Sequence, residues 1–208
     1  MASLQEPFLK YTDIGRIKIT RFFLIPIFVI FLFSHHKIPD AGVLDIAMEL
    51  VSIILIFIGV SGRLWSTLFI SGYKTTNLIT VGPYSICRNP LYFFSFIAII
   101  GIAMETEMIT IILMVLLGFA IFYPSVILKE EKLLLQLHGK DFEEYCKRVP
   151  RFFPNFKLYT EPDKYVFETR LYRKAFFDSM WFILAYPLME IIEKLHEHNI
   201  LPTYLYLW

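Results

Sequence analysis

A polar stretch, Gly82–Tyr92, separates two apolar runs and holds several side chains that could do chemistry. It supplies the guanidinium of Arg88, the amide of Asn89 and the phenols of Tyr84 and Tyr92. A guanidinium forms bidentate pairs with carboxylates, and tyrosine rings offer faces and hydroxyl groups to a cation or an adenine ring. Such a set suits a zwitterionic ligand that carries a nucleoside, but it does not by itself identify that ligand.

A second polar cluster, Lys129-Glu130-Glu131, follows an apolar run about forty residues later. Its carboxylates can accept hydrogen bonds from a ribose diol or bind an amino group. The apolar runs Leu91–Met104 and Ile109–Leu128 are separated only by a short acidic segment, which predicts an antiparallel helical hairpin. Such a hairpin would bring the two polar clusters to the same end of the protein.

Both clusters also have a purely structural interpretation. The Arg-Asn-Pro sequence at the end of the stretch could cap and start a membrane helix at an interface. The acidic pair beside Lys129 and Lys132 could form a solvated helix face. The residue types alone leave both interpretations open.

Arg63 lies well inside the long apolar segment Val43–Ile70, where an unpaired charge costs several kcal/mol. It either faces a polar cavity, where it would hold the carboxylate or phosphate of an acceptor, or it pairs with Glu49 or Asp45 or extends to the interface. The first interpretation makes Arg63 a candidate catalytic residue.

The composition indicates a membrane protein. Of the 208 residues, 56% are hydrophobic, above the roughly 45–50% that is usual in soluble domains. The formal net charge of +1 argues against binding to nucleic acid through bulk electrostatics. We predict an all-α fold: an integral-membrane helical bundle forming a single domain, 1–208, with four or five spans and a cytoplasmic C-terminal helical segment. The two cysteines, Cys87 and Cys146, are not expected to form a structural disulfide.

The domain divides into N-terminal membrane helices over 17–70, a motif region over 71–154 and a tail over 155–208, after a polar lead-in. The tail carries a last apolar helix that is either a fifth span or a helix lying in the interface. The predicted apolar segments are Ile17–Phe33, Val43–Ile70, Leu91–Met104, Ile109–Leu128 and Ala175–Leu195.

Helix breakers and charge predict the polar segments between them. Lys129–Lys147 is predicted to be helical, with Gly139 as an interruption, and the following Val-Pro pair ends it. The segment His35–Asp40 is predicted to be a turn. His196 and His198 are predicted to be a surface pair, since no metal-ligand spacing appears in the chain.

The charges of the loops predict one orientation. Basic residues precede the first span and recur at Lys74, at Arg88 and through 129–174, whereas the intervening turns are acidic or hold Lys37 alone. Because positively charged loops stay on the cytoplasmic side, we expect the N-terminus and both polar clusters to be cytoplasmic.

Three separated motifs occur in order: Gly82-Pro83-Tyr84 with Arg88-Asn89-Pro90-Leu91-Tyr92, then Glu130-Glu131, then Tyr145 followed by Val149-Pro150-Arg151-Phe152-Phe153-Pro154. Together they resemble the isoprenylcysteine carboxyl methyltransferase family, and phospholipid methyltransferases share parts of the pattern. The similar spacing extends over roughly residues 78–154. The upstream Gly62–Trp65 is similar to a region of bacterial relatives.

The resemblance implies an integral-membrane enzyme that transfers a methyl group from S-adenosylmethionine and requires no metal. It implies a cofactor pocket at the cytoplasmic face. The residues that would line this pocket are Tyr84, Arg88, Asn89, Pro90 and Tyr92.

The same resemblance assigns Glu130 and Glu131 to the ribose or amino-acid end of the cofactor, or to orienting the acceptor. With Arg63, Glu131 completes the candidate catalytic residues. Asn89 departs from the family pattern, which usually has histidine at this position. An amide can replace an imidazole as a hydrogen-bonding group, but it cannot take up a proton near pH 7. We therefore expect Asn89 to position other groups and not to act as a base.

The acceptor is expected to be lipophilic or amphipathic and to enter from the bilayer. A prenylcysteine-like carboxylate, a phospholipid amine and a small thiol or amine all meet this description. The rival function is a non-enzymatic membrane protein that keeps the scaffold, such as a small transporter or assembly factor, and Asn89 keeps this rival open. A reductase on a related membrane fold is a third interpretation, but the chain has no Gly-rich dinucleotide fingerprint.

Overall fold

The computed structural model describes residues 24–37, 42–71 and 77–208. Several predicted features lie outside the described residues: the polar lead-in, positions 17–23 of the first apolar segment, the turn residues 38–40 and the basic loop residue Lys74.

Helices make up almost all of the described secondary structure, which confirms the all-α class. The first, α1, is described over residues 24–32. The others are α2 (Val43–Ile70), α3 (Pro83–Ile86), α4 (Pro90–Met104), α5 (Ile109–His138), α6 (Lys140–Arg148) and α7 (Thr169–Glu197). The remaining elements are a 3₁₀ turn, Phe156–Leu158, and two short strands, β1 (Ser34–His36) and β2 (Leu205–Leu207).

Three helices of the described chain, α2, α5 and α7, are long and apolar enough to cross a membrane. The prediction of four or five spans is therefore too high for the described residues. Helix α4 has 15 residues, about 22 Å at 1.5 Å per residue, whereas crossing the bilayer core takes about 20 residues. Helix α7 has 29 residues and exceeds the predicted segment Ala175–Leu195 at both ends.

Helices α2 and α4 pack so closely that glycine is required at their interface. A Cβ atom at Gly59 of α2 would lie 2.6 Å from the backbone nitrogen of Ala98, and one at Gly101 of α4 would lie 2.9 Å from the carbonyl oxygen of Ser52. Small residues permit this approach in membranes, where van der Waals contact drives helix association. The close packing fixes α4, and with it the residue that precedes it, Asn89.

The predicted hairpin of α4 and α5 is confirmed, with Glu105, Thr106, Glu107 and Met108 as its turn. Glu107 has a left-handed backbone conformation there, with φ of 54°. Glu105 is buried and accepts a hydrogen bond from Ser52 Oγ at 2.7 Å, so the turn is attached to α2.

The predicted helix over Lys129–Lys147 is confirmed, and so is its interruption. Gly139 has φ of 51° and separates α5 from α6. Helix α6 ends at Arg148, before the Val-Pro pair. A small core at this junction joins Phe142, Tyr145 and Val149 to Leu78 and Leu134.

His35 and His36 were expected in a turn but lie in β1, which pairs in parallel with β2. This prediction was wrong because the partner strand lies about 170 residues later in the chain. His196, expected at the surface, is 5% exposed, and its Nε2 lies 3.1 Å from the carbonyl oxygen of Leu32. His198 is exposed, as predicted.

Candidate functional site

The two polar clusters of the sequence meet at one end of the helical bundle. The stretch Gly82–Tyr92 forms the one-turn helix α3, a short link and the first turn of α4. The acidic pair, Glu130-Glu131, lies beside it at the polar end of α5. Residues 149–160, which follow α6, pass across both clusters and are called the return segment below.

Backbone hydrogen bonds join the return segment to the stretch. Arg88 N–H donates to Pro150 O at 2.9 Å, and Gly82 N–H donates to Thr160 O at 2.7 Å. Glycine suits position 82, since φ is 60° and a Cβ atom would lie 2.4 Å from the ring of an α2 phenylalanine. The stretch and the return segment therefore hold each other in place.

Glu131 is the centre of the site. Its buried carboxylate contacts Arg88 Nη1 at 3.3 Å and Arg151 Nε at 3.0 Å. Asn89 Nδ2 donates to the same carboxylate at 3.3 Å. The Arg88 side chain is mostly buried, whereas that of Arg151 is half exposed. Two guanidinium groups around one carboxylate leave one positive charge in excess at Glu131, which favours an anionic group on a ligand.

The Asn89 side chain does not cap α4. Its Nδ2 also donates to the carbonyl oxygen of Arg151 at 3.0 Å, and its side chain makes no capping bond at the helix start. Pro90 starts the helix, a position where its missing N–H costs nothing. Only Pro90 therefore fits the interpretation of the Arg-Asn-Pro sequence as a simple helix start. The Asn89 amide instead connects Glu131 to the return segment.

Aromatic rings form a wall beside the acidic pair. Tyr92 OH donates to Glu130 Oε1 at 2.7 Å, and the Tyr92 ring lies 5.5 Å from that of Tyr123. Tyr123 stacks on Phe119 at 4.0 Å, and Phe152 of the return segment lies 5.7 Å from Phe119. The interpretation of the acidic pair as a solvated helix face is wrong, because Glu131 is buried and Glu130 accepts a hydrogen bond from Tyr92. Ring faces next to carboxylates attract a cation.

Two buried donors at the site make no hydrogen bond with any residue that the structure describes: the hydroxyl of Tyr84 and Nε of Arg88. Burial, followed by the proximity of Tyr145 and Glu130, raises the pKa of Tyr84 well above its usual value, so the hydroxyl keeps its proton. An unsatisfied buried donor costs about 1–3 kcal/mol. The two donors therefore fit a bound group with carboxylate or ribose oxygens.

Three residues that complete the site had no predicted role in it: Arg151, Cys146 and Cys87. Arg88 Nη1 lies 2.7 Å from Cys146 Sγ, and Cys87 Sγ donates to Phe152 O at 2.9 Å. Both cysteines are free thiols. Burial raises the pKa of Cys87 to about 12, so this thiol is not an activated nucleophile. The only sequence signal for Arg151 was its position in the last motif of the resemblance.

Arg63 lies deeper in the bundle than the Glu131 site. It donates a hydrogen bond to Ser95 Oγ, and its guanidinium carbon lies 5.0 Å from the ring centroid of Phe182 on α7. Ser95 follows Asn89 by six residues, about 9 Å along α4. The alternative in which Arg63 pairs with an acid of its own helix is wrong, because even the nearer acid, Glu49, is 14 residues away, about 21 Å along α2. The Arg63 side chain therefore extends from α2 to α4 and α7, apart from the other predicted site residues.

Residues 41–141 match the profile of the phospholipid methyltransferase family. The chain is 34% identical over 184 residues to the nickel-cobalt-cadmium resistance protein NccN of Alcaligenes xylosoxydans xylosoxydans, with 88% of this chain and 86% of that protein covered. It is 32% identical over 170 residues to the cobalt-zinc-cadmium resistance protein CzcN of Cupriavidus metallidurans, with 82% of this chain and 78% of that protein covered. No solved structure matches the chain.

Proposed function

The chain belongs to the phospholipid methyltransferase family, and from this premise we propose that it transfers a methyl group from S-adenosylmethionine to a lipophilic or membrane-borne acceptor. One observation supports the proposal most directly. At the buried Glu131–Arg88 pair, Arg88 Nε and the Tyr84 hydroxyl are buried donors that lack an acceptor among the described residues. Donors of this kind are what a carboxylate or ribose oxygen needs.

The cofactor would be held by groups with distinct tasks. Arg88 and Tyr84 would donate to oxygens of its amino-acid carboxylate or ribose. Glu131 fixes the direction of the Arg88 guanidinium, which lowers the entropy lost on binding. Glu130, oriented by the hydroxyl of Tyr92, would accept a hydrogen bond from the amino group.

When bound, S-adenosylmethionine supplies a methyl group on a positively charged sulfonium, ready for direct transfer to a nucleophile. The residues of the chain would then contribute position and exclusion of water more than proton transfer. The rings of Tyr92, Tyr123 and Phe119 offer faces to the positive charge. Asn89 keeps Glu131 and the return segment together and takes no proton.

The acceptor would approach Arg63 from the apolar interior between α2, α4 and α7. The guanidinium suits an acceptor with a carboxylate or phosphate, such as a prenylcysteine-like carboxylate or a phospholipid amine. A small thiol or amine would need no such cation. Incubation with methyl-labelled cofactor and total membrane lipid, followed by identification of the labelled species, distinguishes these acceptors.

A second candidate function is a non-enzymatic role in resistance to divalent metals, as a small transporter or assembly factor on the same scaffold. The names of the two relatives favour it, because both are metal-resistance proteins. Only methyl transfer requires the cofactor, so calorimetry of the purified protein with S-adenosylhomocysteine separates the two functions. The absence of binding at high micromolar ligand would contradict the enzymatic proposal.

We expect Arg88→Ala to weaken the binding of S-adenosylhomocysteine by roughly 10- to 100-fold, the value of one charge-assisted hydrogen bond. Glu131 keeps Arg151 and Asn89 as partners, so the variant should still fold in detergent. Calorimetry gives the affinity, and size-exclusion chromatography gives the folded fraction. Arg148→Ala, which removes a guanidinium from the exposed last turn of α6, is the matched control. Wild-type affinity in a folded Arg88→Ala protein would refute the assigned role.

We expect Tyr92→Phe to weaken ligand binding less than Arg88→Ala does, because the substitution removes one hydroxyl and keeps the ring. Loss of the bond to Glu130 should weaken S-adenosylhomocysteine binding roughly 3- to 10-fold, as for one hydrogen bond of about 1 kcal/mol. Tyr172→Phe, in the first turn of α7, should bind as the wild type does. If both variants have the same affinity, Glu130 does not need Tyr92 to reach the ligand.

A further inference from the structure

Another group of polar side chains, called the His36 cluster below, lies at the end of the bundle opposite the Glu131 site. It forms where β1, the α4–α5 turn and the last turns of α7 meet, and it consists of His36, Glu107 and Glu193. Helix α4 lies between Asn89 and Glu107, which places the two clusters about 25 Å apart along this helix. No step of the proposed methyl transfer uses these three residues.

The spacing of the three side chains fits a metal ion. Each offers one ligand atom, and these atoms lie within 4.8 Å of one another. An ion bound at about 2.0–2.1 Å by a tetrahedral set holds its ligand atoms roughly 3.3 Å apart. His36 Nδ1 and Glu107 Oε2 are 3.4 Å apart, so this pair already has the required separation. Glu193 Oε1 lies nearer the other ring nitrogen, at 3.7 Å, so its partly exposed side chain must turn toward Nδ1 to bind the same ion.

Glu107 has a buried oxygen that lacks a donor. The residue is 5% exposed, and its Oε2, which faces His36, accepts no hydrogen bond from the residues that the structure describes. The 3.4 Å to the ring nitrogen exceeds the roughly 2.7–2.9 Å of a charge-assisted hydrogen bond. A buried carboxylate oxygen without a donor or a cation is costly. A cation between the carboxylate and the ring would neutralise this oxygen.

The charges around the cluster also favour a cation. Two further carboxylates, those of Asp45 and Glu105, act electrostatically on Glu107. The neighbouring lysines are engaged elsewhere: Lys194 pairs with a glutamate one turn earlier on α7, and Lys37 Nζ lies 5.3 Å from the ring centroid of Trp208. Among the residues that the structure describes, this end of the bundle therefore has an excess of negative charge that a divalent ion would neutralise.

We propose that His36, Glu107 and Glu193 bind one divalent first-row transition-metal ion, such as Zn²⁺ or Co²⁺, at the end opposite the Glu131 site. One imidazole with two carboxylates is a donor set for these ions, whereas Mg²⁺ and Ca²⁺ prefer oxygen ligands alone. Three protein ligands leave a coordination position for water or for a second molecule.

Titration of the purified full chain in detergent with Co²⁺, followed by calorimetry and visible absorption, tests the site. We expect one Co²⁺ per chain and its displacement by Zn²⁺. Glu107→Gln and Glu193→Gln should each lower the affinity at least as much as the loss of an outer-shell partner does, about 10- to 100-fold. Glu143→Gln, exposed on α6, should bind Co²⁺ as the wild type does.

A wild-type protein that binds neither Co²⁺ nor Zn²⁺ would overturn the site, and so would wild-type affinity in both glutamine variants. Glu193 is partly exposed and its variant should fold, so the outcome does not depend on Glu107→Gln alone. S-adenosylhomocysteine binding in the same samples should be unchanged. Loss of the metal site is therefore distinguishable from failure of the proposed methyl transfer.

Discussion

Replacement of Glu131 by glutamine should weaken S-adenosylhomocysteine binding by up to roughly 10- to 100-fold, the loss expected for Arg88→Ala, and should lower the free energy of unfolding by about 3–5 kcal/mol. The wild-type carboxylate is the counter-charge of Arg88, which is mostly buried, and also contacts Arg151. Glutamine has almost the same shape but leaves two guanidinium groups facing a neutral amide. Most of the stability loss should come from Arg88, because a pair with the half-exposed Arg151 is worth only about 1 kcal/mol or less.

Thermal unfolding in detergent and calorimetry with S-adenosylhomocysteine measure the two effects of Glu131→Gln. Glu144→Gln makes the same chemical change on the exposed face of α6 and should leave both quantities at the wild-type values. A Glu131→Gln protein that binds the ligand with wild-type affinity would show that Glu131 has only a structural role. The size of the binding loss therefore distinguishes a site at Glu131 from a stabilising ion pair alone.

Replacement of Gly59 by leucine should prevent α2 and α4 from packing and should leave little folded protein after extraction. A single Cβ atom at this position would already lie 2.6 Å from the Ala98 backbone nitrogen, and backbone cannot rotate away as a side chain can. Helix propensity acts in the opposite direction, since leucine favours a helix by about 1 kcal/mol over glycine. A loss of stability must therefore come from the close contact, and overpacking typically costs about 1–3 kcal/mol or more.

The folded, monodisperse fraction after size-exclusion chromatography measures the effect of Gly59→Leu. Ser61→Leu adds the same side chain two residues later, on the exposed face of α2, and should behave as the wild type does. Equal yield and melting temperature for the two variants would contradict the close approach of α2 and α4.

The sequence predicted the part of the site that depends on local pattern. Two apolar runs separated by a short acidic segment had to fold back on each other, and this alone places Arg88 near Glu131. Gly139 and the Val-Pro pair marked the ends of helices for the same local reason. In these cases hydrophobic periodicity and helix breakers fix the structure without any distant contact.

Contacts between distant segments could not be predicted in this way. Arg151 reaches Glu131 because the return segment crosses the stretch, and no spacing in the sequence states where that segment goes. The predictions of a turn at His36 and of surface exposure at His196 were wrong, because both residues are buried next to a strand pair that joins residues about 170 positions apart. The acids around His36 likewise come from separate elements, so no metal-ligand spacing could appear in the sequence.

The pairing of β1 with β2 has a consequence for biosynthesis. A ribosome adds about 5–20 residues per second, so β1 would wait roughly 10–30 s before its partner strand exists. During this interval α2, α4, α5 and α7 are made in turn, and His36 cannot meet Glu193 until α7 is complete. The His36 cluster therefore cannot close before α7 and β2 have been made, whereas the side chains around Glu131 all precede α7 in the chain.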